Sequence, residues 1–216
     1  MRHPVASAVV VGLCLVAQAS GQTVTGPELV ARVRRSVIPL QWENARGDLE
    51  TYCSAVVLTP ITALVSEHCT DEDHGVRLWL DGVPVVWVSK PSVGMQVARA
   101  AIPGRAWVPV RVRRTDVREG ESVWAVGYAF GDSRSTVTRG IVAHARAFDE
   151  DQDQDHLRHE TWFDLTLVPG MSGGAIVDDD GQLISLNQGV YSPVLGSVLS
   201  HGPQLSAVKA IIKKHR

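Results

Sequence analysis

An all-β fold, a barrel or a sandwich, is what the sequence predicts. Three observations lead there. Short runs rich in Val, Ile, Leu, Thr and Trp recur along the chain, separated by turn residues. Two of them, Val76–Leu80 and Val83–Val88, flank Asp81-Gly82, a dipeptide suited to a two-residue hairpin turn. Helical periodicity occurs only near the two ends.

The elements follow in order. Arg2 and His3 precede a nearly continuous apolar run, Val5–Ala17, and then Ala17-Gln18-Ala19. A short polar start, an apolar centre and small residues at a cleavage point make residues 1–19 a secretory signal peptide, cut after Ala19. The run is too short to span a membrane. No stable membrane anchor is therefore expected, and the mature protein, residues 20–216, is expected to be secreted or periplasmic.

Pro27–Ser36 predicts a short helix. Pro27 suits a first helical position, and Leu29, Val30 and Val33 share a face. Val37, Ile38 and Leu40 open a strand, with Pro39 marking an edge or bend. Further strands are expected at Thr51–Leu58, Thr62–Val65, the hairpin above, Val97–Ile102, Trp107–Val112, Ser122–Val126, Thr136–Ala145, Thr161–Leu167, Ala175–Val177 and Leu183–Leu186. A closing helix near Leu205–Lys214 carries Leu205, Val208, Ile211 and Ile212 at helical spacing. Lys213 and Lys214 stand at its C-terminal end, where the helix dipole favours cations. The acidic stretch Asp149–Asp155 lacks the glycine of an EF-hand loop and reads as a solvated surface loop.

Composition excludes some functions. The chain has 216 residues, 44% hydrophobic and 20% charged, with a net charge of −2. That balance is globular, and it lacks the basic excess that nucleic-acid binding needs. No nucleic acid is expected as a partner, and nothing in the sequence sets an oligomeric state. Of the three Cys, Cys14 leaves with the signal peptide. Cys53 and Cys69 remain, in an oxidising compartment, and are expected to form one disulfide. On a chain-entropy basis such a loop contributes roughly 3 kcal/mol.

Two short stretches carry chemistry. In Gly170-Met171-Ser172-Gly173-Gly174 a Ser stands between glycines on a tight turn. Glycine permits the backbone angles that expose a nucleophile, and the amides of Gly170 and Ser172 are candidates to receive a developing oxyanion. In Ser66-Glu67-His68-Cys69 a His sits beside a cysteine with a partner upstream, which would fix it as a base.

Together, Cys53, His68-Cys69 and Gly170–Gly174 resemble the trypsin-like serine peptidases of the chymotrypsin fold. Val126–Gly131, Ser135–Val142, Asp164 and Gly181–Asn187 resemble its HtrA-like bacterial branch, here without a PDZ domain. The resemblance implies two packed antiparallel six-stranded β-barrels, divided near residues 112–120, with a C-terminal helix. It implies serine endopeptidase activity on protein or peptide substrates, with no cofactor and no metal. Ser172 would be the nucleophile and His68 the base, and Gly170 and Ser172 would form the oxyanion hole. Thr166, Asn187, Gln188 and Gly189 would bind substrate. Thr166 stands where trypsin-type enzymes carry a selecting acid, so small or apolar side chains are expected in that pocket.

The sequence departs from the family at three places. Ser66-Glu67 replaces small residues before the His. Met171 stands where zymogens of the trypsin type carry Asp. Gln96, in Gln96-Val97-Ala98-Arg99-Ala100, stands at the third triad position in place of Asp. An amide can orient an imidazole but cannot offset its positive charge. A non-catalytic homologue that binds extended peptides is the alternative this substitution raises.

Overall fold

The computed structural model describes residues 26–70, 77–148, 159–191 and 199–215. The expected signal peptide, with Cys14, and the acidic stretch lie outside the described residues. No helix among those described is long and apolar enough to cross a membrane.

Helix α1 spans Gly26–Arg34 and buries Leu29 and Val33; it ends two residues before the expected Ser36. Strands β1 (Val37–Glu43), β2 (Leu49–Thr59), β3 (Thr62–Ser66), β4 (Leu78–Leu80), β5 (Val83–Val88) and β6 (Met95–Ala100) then close a barrel in the order β1-β2-β3-β6-β5-β4. The β4–β5 hairpin turns on Asp81 and Gly82, both at positive φ (49° and 76°), as a type I′ turn requires. Pro39 is not on an edge strand. It lies past the end of the β4 ladder and beside a bulge at Leu40/Gln41, where its missing amide costs no ladder bond.

The chain crosses to the second half through residues 101–110. Of the expected strand Trp107–Val112, only β7 (Arg111–Val112) forms, parallel to β12. The reason is side-chain docking. The Trp107 ring is buried and its Nε1 donates to Asp81 Oδ2 at 3.2 Å, so the backbone here makes isolated bonds, Val108 N to Arg35 O and Val110 N to Val57 O.

The second half comprises β7, β8 (Ser122–Gly127), β9 (Thr136–Phe148), β10 (His159–Asp164), β11 (Ala175–Asp178), β12 (Gln182–Leu186), β13 (Gly189–Tyr191) and β14 (Leu199–Pro203). Their order is β13-β14-β10-β9-β8-β11-β12-β7. Among the described residues this is an open eight-stranded sheet, not the second closed six-stranded barrel that the resemblance implies. The sheet curls until β12 nears β14, but the two meet through single bonds. Ser185 Oγ donates to Pro203 O at 2.7 Å, and Gln188 N donates to His201 O at 3.1 Å. Pro203 has no amide with which to extend a ladder. Strands β13 and β14 were not expected, because Ser, His, Gly and Pro interrupt their apolar pattern.

Three apolar clusters form the core among the described residues. One occupies the barrel, around Leu40, Val57, Val65 and Leu80, and one the second sheet, around Phe163, Ile176 and Ile184. The third lies between the halves. It joins Val56, Leu64 and Val97 to Val126, Val177 and Leu186, together with Val33 of α1 and Val208, Ile211 and Ile212 of α2 (Leu205–His215). The two terminal helices therefore seal the seam at which the candidate residues meet.

Candidate active site

His68 stands exposed on a single 3₁₀ turn, Glu67–Cys69, that leaves the end of β3. Several contacts from the first half hold this turn. Cys69 is paired with Cys53 of β2, their Cα atoms 6.2 Å apart. The Tyr52 hydroxyl donates to the Cys69 carbonyl, and burial pushes that phenol above its ordinary value. Glu67 N donates to Gly94 O at 2.9 Å, and Thr70 donates from both its amide and its hydroxyl to Glu67 O, each at 2.9 Å. The donor atoms of Cys53, His68 and Cys69 fall within 4.8 Å of one another. With the two sulfurs bonded to each other, neither is the thiolate that a metal would need.

The loop before β11 carries Ser172, which is half-buried. Gly173 is at φ +78°, and a Cβ built on it would fall 2.2 Å from Ser54 O and 3.2 Å from Ser66 N. Only glycine fits there. The same contacts show that the Ser172 loop lies directly against the β2 and β3 backbones, beside the His68 turn. Gly170 is at φ +91°, where a Cβ would meet Tyr128 O at 2.2 Å. The amides of Met171, Gly173 and Gly174 donate to Val168 O, Asn187 O and Met171 O. Those of Gly170 and Ser172 donate to no acceptor among the described residues, so two adjacent donors remain to receive an anion.

Ser54, which the sequence reading passed over, fastens this loop. It is fully buried. Its amide donates to Ser172 O and its Oγ to Gly170 O, each at 2.8 Å, while Oγ accepts from Tyr128 N at 2.8 Å. Its place directly after Cys53 is the one signal that would have drawn attention to it.

Gln96 lies in β6, opposite Val65 of β3. Both ends of its carboxamide are engaged: Oε1 lies against Thr70 Oγ1, whose single proton it shares with Glu67 O, and Nε2 donates to Ser89 O at 2.9 Å. Ser66 Oγ lies 3.1 Å from His68 Nδ1. Asn187 is buried, donates from Nδ2 to Met171 O at 3.1 Å, and leaves Oδ1 without a hydrogen bond. Gln188 reaches across the seam, its Nε2 donating to Gly94 O at 2.7 Å and Val93 O at 3.2 Å. Gly189 begins β13, the end strand of the sheet. Thr166 is exposed, its carbonyl accepts from Thr138 Oγ1 at 2.8 Å, and it lines a cleft of about 630 Å³ with Arg139, Asp164 and Leu167. No hydrogen bond among the described residues joins it to Asn187–Gly189.

One closed barrel packed on a curled sheet, with a serine loop and a histidine turn meeting at the seam, defines a serine-peptidase type of molecule. The family described as "Trypsin-like peptidase domain" matches residues 53–186, and the chain belongs to it. Its likenesses lie on the HtrA side of that family. A "Serine protease HtrA-like" of Staphylococcus haemolyticus is 32% identical over 97 residues, 42% of this chain and 15% of the relative. A protein of the same description from Staphylococcus aureus is 32% identical over 101 residues, 44% of this chain and 13% of the relative. The chain thus aligns with only a small part of these longer proteins. Among solved structures, the HtrA-type protease AlgW with a decapeptide superposes at a TM-score of 0.67 with 22% identity, covering 89% of this chain and 68% of that one. Inactive Rv3671c of M. tuberculosis H37Rv superposes at 0.66 with 18% identity, covering 88% and 91%. At these identities the structures establish a shared fold.

Proposed function

We propose that the protein is an exported serine endopeptidase that cleaves extended polypeptides through an acyl-enzyme, in a secreted or periplasmic setting where Cys53–Cys69 is oxidised. The observation that carries this reading is the meeting of the Ser172 loop with the His68 turn around Gly173. Ser172 Oγ attacks the scissile carbonyl, and His68 takes its proton and returns it to the leaving amine. The Gly170 and Ser172 amides receive the oxyanion. Nucleophile, base and oxyanion donors are all supplied by the chain, so the mechanism calls on no cofactor and no metal.

Gln96 occupies the third position without a charge. It steadies the turn through Thr70, and as a neutral amide it brings no negative charge to the imidazolium. Loss of that charge in the Ser-His-Asp template costs about 10⁴ in turnover, so slow hydrolysis is expected. Substrate would add as a strand along β13, whose outer edge has no partner strand among the described residues, with Gln188 and Gly189 beside it and Asn187 beneath. Uncharged Thr166 in the primary pocket favours small or apolar side chains. The peptide held by AlgW supports a peptide substrate for this fold.

A fluorophosphonate probe tests the enzyme reading. Labelling of the mature protein that disappears in Ser172→Ala supports it, and absence of labelling in folded protein overturns it. Gln96→Asp should then raise turnover at least about tenfold, since it restores part of the charge term. The second reading, a peptide-binding homologue without activity, is favoured by the engagement of both ends of Gln96 away from His68. It requires an unlabelled protein that still binds an unstructured peptide.

A further inference from the structure

A groove opens on the barrel, away from the Ser172 loop. We propose that this groove, between β5 and the C-terminal end of α2, is a docking site for an acidic polypeptide segment with an apolar anchor. It does not depend on catalysis at Ser172. Thr62 and Arg99 pair at one end of the β3–β6 ladder, and Ser66, two residues before His68, stands at the other. Four residues of strand, about 13 Å, separate the two ends.

The groove encloses about 590 Å³, and Thr59, Ile61, Val86, Trp87, Arg99 and His215 are among the residues that line it. A break in strand pairing makes its wall apolar. The β5–β6 register shifts between Val85 and Trp87. Two successive apolar side chains are thereby left open to solvent where an alternating strand would show one. Val86 is 61% exposed and Trp87 46%. The Trp87 ring leans on the ring of His215, their centroids 5.7 Å apart and their planes at 54°. That contact steadies Trp87 at the groove wall and leaves nearly half of the residue uncovered. A tryptophan held in a concavity is the kind of anchor that carries much of the energy of an interface.

Charge selects the occupant. Arg99 is the cross-strand partner of Trp87 and is exposed. The last turn of α2, which brings His215 to the groove, adds Lys213 and Lys214, both exposed. None of these three cations enters an ion pair among the described residues. No carboxylate among those residues lines the groove. The cause lies in the sequence. Residues 51–66, 82–115 and 181–216, which supply the groove, hold no Asp or Glu, although the chain has 23 of them. An apolar wall thus stands in a locally positive field, within a chain of net charge −2. Such a site complements an acidic segment that carries an aromatic or aliphatic side chain. A bilayer fits it less well, because a membrane meets apolar side chains on a crest, and Trp87 lines a concavity.

The test uses the mature, oxidised protein carrying Ser172→Ala, so that the probe is not cleaved. The probe is a fluorescein-labelled peptide of Glu, Ser and Gly with one Phe-Leu pair at its centre, and binding is read by fluorescence anisotropy. Trp87→Ala should weaken binding at least about tenfold. Val86→Glu, at a largely exposed position, should also weaken it, and Val86→Lys should not. Arg99→Gln should cost about threefold. Raising NaCl from about 0.05 M to about 0.5 M should weaken binding about fivefold or more. Urea midpoints confirm that each variant is folded. A peptide with Lys in place of Glu, or Ser in place of Phe-Leu, should not bind. Absence of binding, or affinity unchanged in both Trp87→Ala and Val86→Glu, would overturn the proposal. Preference for phosphatidylglycerol vesicles over the peptide would overturn it as well and assign the patch to a membrane. Binding that appears only when the acidic residues of 149–155 are neutralised would overturn it in favour of the chain's own acidic stretch.

Discussion

The two halves hold their reactive side chains by different means. His68 is positioned by its own barrel, through the Cys53–Cys69 pair, Tyr52, Thr70 and Gly94. Ser172 lies on a loop of an open sheet, and much of what fixes that loop comes from across the seam, through Ser54 and the snug fit of Gly173. The turn that carries the base thus draws largely on its own barrel, while the nucleophile loop depends in good part on the docking of the halves. Variants that separate these two dependences test the difference directly.

The largest effect belongs to Gly173→Ala. The new methyl would sit 2.2 Å from Ser54 O, on a backbone already at φ +78°. Neither atom can move without displacing β2 or the loop. Left-handed strain alone costs about 1–3 kcal/mol, and the clash adds to it. A loss of at least about 3 kcal/mol in urea unfolding is expected, together with loss of fluorophosphonate labelling. Stability within about 0.5 kcal/mol of wild type would break the claim that the loop is seated on the barrel.

Removing the Cys53–Cys69 pair by a double Ser substitution acts on the other half. The expected cost is about 2–4 kcal/mol. If the pair serves the base, labelling by the folded fraction should fall as well, because Cys69 directly follows His68. If labelling per folded molecule is unchanged, Tyr52 and Thr70 suffice to hold the turn, and the comparison between the halves weakens.

Much of this asymmetry was legible in the residues. The hairpin at Asp81-Gly82, the terminal helices and the paired cysteines follow from local pattern, because each needs only neighbours in sequence or an even cysteine count. Ser172 and His68 stood out because glycine and cysteine mark the backbone around them. The part played by Ser54 did not show. A serine is an ordinary residue on a strand, and its meaning comes from what the other half places beside it. Strands β13 and β14 were hidden for a related reason. Gly202 and Pro203 break the apolar alternation, and pairing with β10 on one side and β13 on the other makes Leu199–Pro203 a strand. The closed second barrel was read from resemblance, and among the described residues the second half is an eight-stranded sheet that does not close.

Ser54→Ala asks how much of the loop depends on one side chain. It would leave Gly170 O without its donor and Tyr128 N without its acceptor, both at the seam. Unpartnered groups of this kind cost about 1–3 kcal/mol. Since Ser54 N would still donate to Ser172 O, the loop should loosen at Gly170 first. Labelling should therefore fall more than stability predicts. Equal stability losses with full labelling would place the hold on the loop in the backbone alone.

The smallest effect concerns the far edge of the open sheet, where short β7 is supported by side chains. Arg113, just after β7, donates from Nη1 and Nη2 to the two carboxylate oxygens of Glu121, the latter at 3.0 Å, and Arg118 Nε donates to Glu121 Oε1 at 2.9 Å. The hydrogen bonds from Arg113 hold the Glu121 carboxyl below its ordinary 4.5, against an opposing push from burial. A carboxylate with a depressed folded-state value stabilises the fold above its unfolded value and ceases to as pH falls through the folded one. Nearby Asp178 has the opposite sign: burial raises it above 3.8, so its ionisation on folding is disfavoured and its protonation in acid favours the fold. Glu121→Gln should therefore cost about 1 kcal/mol at neutral pH. The difference from wild type should shrink as pH drops below 4.5, and Asp178→Asn should not reproduce that trend. Urea midpoints measured at about pH 7 and about pH 3 read both slopes. A Glu121→Gln deficit that persists in acid would mean that the edge of the sheet is held by packing and not by this ion pair.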